Sequence, residues 1–138
     1  MDKTLNYLAL ARKAGLAELG EEPVGAITRA LKGHLVLVAK DASDHTWRRA
    51  KSYVAGTDQQ CVRLPFTKAE IGFVIGRQEL AIAAITDAGM ALSIVESLGQ
   101  PEKHKAVLEV LEAKAMKAKK RASEAKAHQR NVRKGKKK

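Results

Sequence analysis

The chain has 138 residues, enough for one compact domain and an extension. Its 26 Lys and Arg against 15 Asp and Glu leave a net charge of +11, which favours a polyanionic partner, either nucleic acid or an anionic membrane surface. A single cysteine, Cys61, excludes an internal disulfide and a cysteine-based metal cluster. No apolar run approaches the roughly 20 residues of a membrane-spanning helix, and the stretch from Met1 to Ala9 does not read as a signal peptide, so a cytoplasmic location is expected.

Leu5, Leu8 and Ala9 recur at helical spacing, with Arg12 and Lys13 in the last turn and Gly15 as the stop. Ala17 to Leu19 is a short strand. Gly20-Glu21-Glu22-Pro23 turns into a second helix, with Pro23 at a first helical position and the acidic pair at its positive end. Val24, Ile27 and Leu31 form its apolar stripe, and Gly33 ends it. Leu35 to Ala39 is an unbroken apolar run, as expected of an inner strand covered on both faces. Asp41 to Asp44 supplies turn and cap chemistry for a helix that reaches Ala55 and stops at Gly56. Cys61 to Leu64 is a shorter strand closed by Pro65. Thr67 and Glu70 have the spacing of a capping box for the next helix, which ends between Gly72 and Gly76. Leu80 to Ile85 is a second fully apolar strand, and Asp87 caps a helix whose Met90, Ile94 and Leu98 share a face.

Alternating strands and helices of this kind predict an α/β protein. The expected architecture is a three-layer α-β-α sandwich around a small mixed, mostly parallel sheet of about four strands. Strands 35–39 and 80–85 should be buried and adjacent. Gly99-Gln100-Pro101 breaks the chain, and a helical pattern resumes at Glu102. Val107, Leu108, Val110 and Leu111 should dock its first turns, with Met116 further along. Later turns should stand in solvent, and order should be lost from Asn131 to Lys138.

Two regions follow, a folded domain over 1–98 and a basic extension over 99–138. The first holds 12 basic and 11 acidic residues, a net of +1; the second holds 14 and 4, a net of +10. The extension is therefore the expected source of non-specific phosphate contacts, through Lys117, Lys119, Lys120, Arg121, Arg130, Arg133 and Lys134.

No catalytic constellation stands out. His34, His45, His104 and His128 are scattered, none with a ligand partner at metal spacing. Gly76-Arg77-Gln78-Glu79-Leu80 lacks the Gly-Lys-Ser/Thr ending of a phosphate-cradling loop. Asp41 and Asp44 read as caps, and Cys61 as a small core residue. Trp47 should pack on the sheet while Arg48, Arg49 and Lys51 face water. No enzyme activity, cofactor or metal is expected.

Several segments, in this order and spacing, resemble a known family. They are Leu8-Ala9-Leu10-Ala11-Arg12-Lys13-Ala14-Gly15, Gly20-Glu21-Glu22, Leu35 to Ser43, Thr67 to Gly72, Ile75-Gly76-Arg77 and Ala81 to Ile85. Over residues 5 to about 98 the chain resembles the kink-turn-binding ribosomal protein superfamily of the L-seven-Ae / L-thirty-e type, in particular its small bacterial ribosomal-protein-like RNA-binding members. The resemblance implies that RNA sits against one end of the sandwich and is held by two loops. One is the turn Gly20 to Val24 with its helix start; the other is Gly76 to Leu80. The RNA-contacting residues would be Gly20, Glu21, Glu22, Arg29, Lys40, Arg77, Gln78, Glu79 and Leu80. Where kink-turn readers of this family usually carry Asn-Glu, this chain has Glu22 and Pro23. Ala26 stands where they carry Lys, and Arg29 lies one turn further on.

The expected protein is thus a monomeric, non-catalytic binder of structured RNA, with kink-turn-like RNA among the candidates, with ribosomal or other structured RNA or the ribosome as partner and no membrane. A nucleoid-type DNA binder acting through its basic tail and a protein-interaction module are the alternatives.

Overall fold

The computed structural model describes the backbone of residues 2–136 and the side chains of residues 2–127. Helix α1 (Lys3–Lys13) starts where the Asp2 carboxylate accepts from the Thr4 amide, and it buries Leu5, Leu8 and Ala11. Strand β1 (Ala17–Leu19) follows. Helix α2 (Glu21–Arg29) begins two residues before Pro23, which lies in the first turn, where its missing N–H costs nothing. Strand β2 (Leu35–Val38) leads to helix α3 (Asp44–Val54), capped by the Ser43 hydroxyl accepting from the Thr46 amide.

Strand β3 (Gln60–Arg63) is followed by helix α4 (Lys68–Val74), where Thr67 and Glu70 form the expected reciprocal capping box. Strand β4 (Ile82–Ile85) and helix α5 (Ala88–Ser97), capped by Asp87 on the Met90 amide, complete the sandwich. Turns over 101–104 delay the last helix, so α6 (Lys105–Lys136) starts three residues after the expected Glu102.

The four-stranded sheet has the order β1-β4-β2-β3. As expected, β2 and β4 are neighbours and every residue of both is buried, with Leu35 opposite Ile85 and Val38 opposite Ile82. Three of the four strands, β1, β2 and β3, run in one direction, but the pairing is mostly antiparallel because β4 lies between β1 and β2. Only β2 and β3 pair in parallel, while β4 runs against both β1 and β2. An unbroken apolar run reports helices on both faces and carries no information about strand direction. The loop from Ile75 to Ala81 turns the chain back so that β4 enters antiparallel.

Helices α2 and α3 cover one face, and α1 and α5 the other, with α6 laid on α5 and reaching β3. Leu111 and Ala115 of α6 join the core, and Lys114 pairs with Asp58 at 3.1 Å, so the first turns dock as expected. Met116 is exposed, and every side chain from there to Ala127 stands in solvent.

Leu31 was expected on the core-facing stripe of α2, and Gly33 as the helix stop. Instead, Leu31 closes the helix with φ +58° and is 68% exposed. Gly33 lies beyond this stop, its amide donating to the buried Gln59 side chain, which in turn donates to the Thr28 carbonyl.

Candidate nucleic-acid interface

Because β1, β2 and β3 run one way and β4 the other, the ends of the first three and the start of β4 meet at one end of the sheet. The starts of α2, α3 and α4 gather there too. Hydrogen bonds tie the segments together: Gly20 N–H to the Ile82 carbonyl at 3.0 Å, Ala39 N–H to Ala81 at 2.9 Å, Lys40 N–H to Phe66 at 2.8 Å and Leu80 N–H to Lys68 at 3.0 Å. The Asp41 carboxylate accepts from the Lys68 amide at 2.8 Å. The two candidate loops, Gly20 to Val24 and Gly76 to Leu80, therefore lie on the same end, with Lys40 beside them.

Helices α1, α3, α4 and α5 each have a side-chain cap, whereas the N-cap of α2 is Gly20, which has none. With φ +98° and ψ 161°, Gly20 occupies a conformation essentially reserved for glycine. The first amides of α2 thus have no cap side chain to accept from them, an arrangement suited to an anionic or carbonyl ligand. Glu21 and Glu22 in that first turn complement the helix dipole and weaken its pull on phosphate. One Glu21 carboxylate oxygen lies 3.5 Å from Arg49; the other is buried with no hydrogen-bond partner.

On the second loop, Arg77, Gln78 and Glu79 are exposed and free to reach a ligand. Leu80 is only 5% exposed and its amide is spent on Lys68, so it anchors the loop and offers a ligand neither side chain nor N–H. Arg29 joins only the acidic pair of the first loop. Its backbone, at the last turn of α2, lies roughly 13.5 Å along the helix from Gly20. Its guanidinium folds back over Gly25 into the groove between α2 and α3, beside Glu21, Glu22, Arg49 and Tyr53.

Trp47 packs against the core, but two nearby cations do not simply face water: the Arg63 guanidinium lies 5.1 Å and the Lys51 ammonium 5.5 Å from its ring centre. Burial pushes the Cys61 thiol up to about 12, which keeps it protonated and unreactive. His34 is held below the ordinary imidazole range by burial and then by Lys114, with a buried and unpartnered Nδ1. Among the described residues there is no cluster of three or more metal-ligating side chains, and no helix is long and apolar enough to cross a membrane.

Lys117, Lys119, Lys120, Arg121 and Lys126 all project into solvent from α6. Arg130, Arg133 and Lys134 lie on its helical backbone, but their side chains, and those of the 131–138 segment expected to lose order, are outside the described residues. Sequence reasoning missed Asp41 and Lys68, which brace the loops, and Lys103 and His104 at the start of α6. Nothing in the sequence set the last two apart, because the helical pattern placed Glu102, an acid, at the helix start.

The layered sheet with its paired loops at one end defines a small α-β-α sandwich protein. No family model matches the sequence. The RNA-binding protein YlxQ of Enterococcus faecium is 36% identical over 89 residues, spanning 64% of this chain and 84% of that protein, and the chain belongs to the YlxQ family. Among solved structures, a protein of unknown function from Bacillus halodurans superimposes with a TM-score of 0.67 at 23% identity, over 72% of this chain and 99% of that one. The 15.5kD RNA-binding protein of Giardia lamblia gives 0.53 at 18% identity, over 75% and 85%. Both share the fold.

Proposed function

We propose that this protein is a non-catalytic, monomeric RNA-binding protein that reads the shape of a structured RNA, such as a kinked and bulged helix of ribosomal origin, in the cytoplasm. The observation that carries this reading is the meeting of the uncapped α2 start and the Arg77–Glu79 loop at one sheet end, beside Lys40. Helix-start amides and loop side chains placed together can recognise a bent backbone and splayed bases, which a charged surface alone cannot do. The unpartnered Glu21 oxygen is an acceptor suited to a 2′-hydroxyl or a base amine, so the acidic first turn fits contacts to sugars and base edges better than contacts to phosphate. The name of the Enterococcus relative supports RNA as the ligand.

The test compares binding of a kinked, bulged RNA with that of a plain RNA duplex and a DNA duplex of equal length. The wild-type chain should prefer the kinked RNA, and Arg77→Ala should cut that preference about threefold to tenfold, as expected for a charge-assisted contact. Equal affinity for all three ligands would instead favour a nucleoid-type binder acting through its tail.

A further inference from the structure

Toward the β3 edge of the same sheet end, a cavity of about 250 Å³ opens between the strand ends and the linker joining α5 to α6. Lys40 and Arg63 line it from the sheet, and Gln100, Lys103 and His104 line it from the linker. No carboxylate faces it among the described residues. Two of its cationic or titratable groups have unused hydrogen-bonding capacity. His104 is 9% exposed, and its imidazole has no hydrogen bond among the described residues; only its backbone is engaged, with Gln100 and Leu108. Arg63 donates through Nη2 to the Ala42 carbonyl at 3.3 Å, yet its Nε is buried without an acceptor.

The helix beside the cavity has its charge the wrong way round. The first turn of α6 contains no acid, and Lys103 and Lys105 flank its positive end. Cations there oppose the helix dipole, an arrangement that an anion between them would relieve. Cations, an imidazole and an amide around an acid-free cavity are chemistry suited to a phosphate group.

We propose that this cavity is a phosphate-binding site, and that, given the RNA reading above, it takes a backbone phosphate of the bound strand. It lies beside the loops at the sheet end, where the linker enters α6. A strand anchored here would lie beside the shape-reading loops. The α5–α6 linker is then part of the binding surface as well as a connection.

Two measurements on the full chain test the site. In the first, inorganic phosphate is titrated at constant ionic strength, with chloride as control, and followed by NMR. The Lys103 and His104 amides should shift saturably, and the His104 imidazole should move toward its protonated form. Burial and then Lys103 now hold that imidazole below its ordinary range, and an anion opposes both, as it also balances Lys40 and Arg63. Absence of a saturable shift overturns the site.

In the second, structured-RNA affinity is compared for Lys103→Gln and Lys105→Gln. Both side chains are exposed and each change removes one charge, but only Lys103 lines the cavity. Lys103→Gln should weaken binding about fivefold to tenfold and Lys105→Gln less than twofold. Equal losses would mean diffuse charge, and overturn the assignment of an RNA phosphate to the cavity. A wild-type chain that binds phosphate but no structured RNA would overturn the RNA reading, while the phosphate site would stand with free phosphate compounds as its source.

Discussion

Leu31 ends α2 in the left-handed region, with its amide bonded to the Thr28 carbonyl and the Lys32 amide to Ile27, the paired bonds of a Schellman stop. Gly15 fills the same role after α1, with Gly15 N–H to Arg12 and Leu16 N–H to Ala11. A leucine in that conformation costs about 1–2 kcal/mol, and an exposed side chain recovers little of it by packing. Leu31→Gly is therefore expected to raise stability by about 0.5–1 kcal/mol, read as a thermal midpoint a few degrees higher. An unchanged or lower midpoint would mean that the side chain packs more than its exposure indicates. The same residue shows why the end of α2 was misread. The periodicity placed Leu31 on the apolar stripe and a glycine stood two positions on, whereas the stop depends on backbone geometry that residue type does not reveal. Asp2, Ser43, Thr67 and Asp87 are the opposite case: a cap needs a short polar side chain at one position, and the sequence shows it directly.

At the scale of elements, α4 is held close to the loop that follows it. A Cβ at Gly72 would lie 2.6 Å from the Glu79 Cα and 2.9 Å from the Arg77 carbonyl oxygen, and the Arg77 amide donates to the Gly72 carbonyl at 2.8 Å. The loop carrying Arg77 to Glu79 thus rests on the bare backbone of α4, and a methyl group there has nowhere to go. Gly72→Ala should cost about 1–3 kcal/mol, as overpacking does, and should also lower the preference for kinked RNA by displacing Arg77. A chain that loses stability in denaturation yet keeps the wild-type preference would show that the loop's position is not what selects the RNA. In sequence, Gly72 looked like a bracket at the end of the helix. The close approach it permits involves a segment that comes near only after the chain reverses into β4. Strand direction was illegible for the same reason: β2 and β4 are equally apolar, and only the geometry of the intervening connections sets one against the other.

At the scale of the whole molecule, charge and shape are divided between two parts. Residues 1–98 are nearly neutral, while residues 117–138 hold 11 basic residues and one acid, a net of +10. This division was plain in the sequence, because a charge run needs no fold to be counted. The grouping at the sheet end was only partly legible. The resemblance pointed to both loops, but Arg29 folds into the α2–α3 groove, Leu80 is an anchor, and Lys103 and His104 come from a linker that the pattern treated as a break. The division has a measurable consequence. From Met116 to Ala127 every side chain is exposed, so the outer part of α6 adds little to the core, and its closely spaced lysines repel one another at three- and four-residue separations. Each phosphate it neutralises should add about 0.7 to 0.9 to the steepness with which log K falls against log salt. Removing residues 117–138 should therefore flatten that dependence by about 3 if four phosphates are engaged, and weaken binding to every nucleic acid alike. The thermal midpoint should stay within about a degree of the full chain's, because the docked turns through Ala115 remain. The ratio of kinked-RNA to duplex affinity should also persist, since the loops proposed to set it are retained. An unaltered salt slope would show that the arm does not touch the ligand, and a lost ratio would move selectivity from the sheet end to α6.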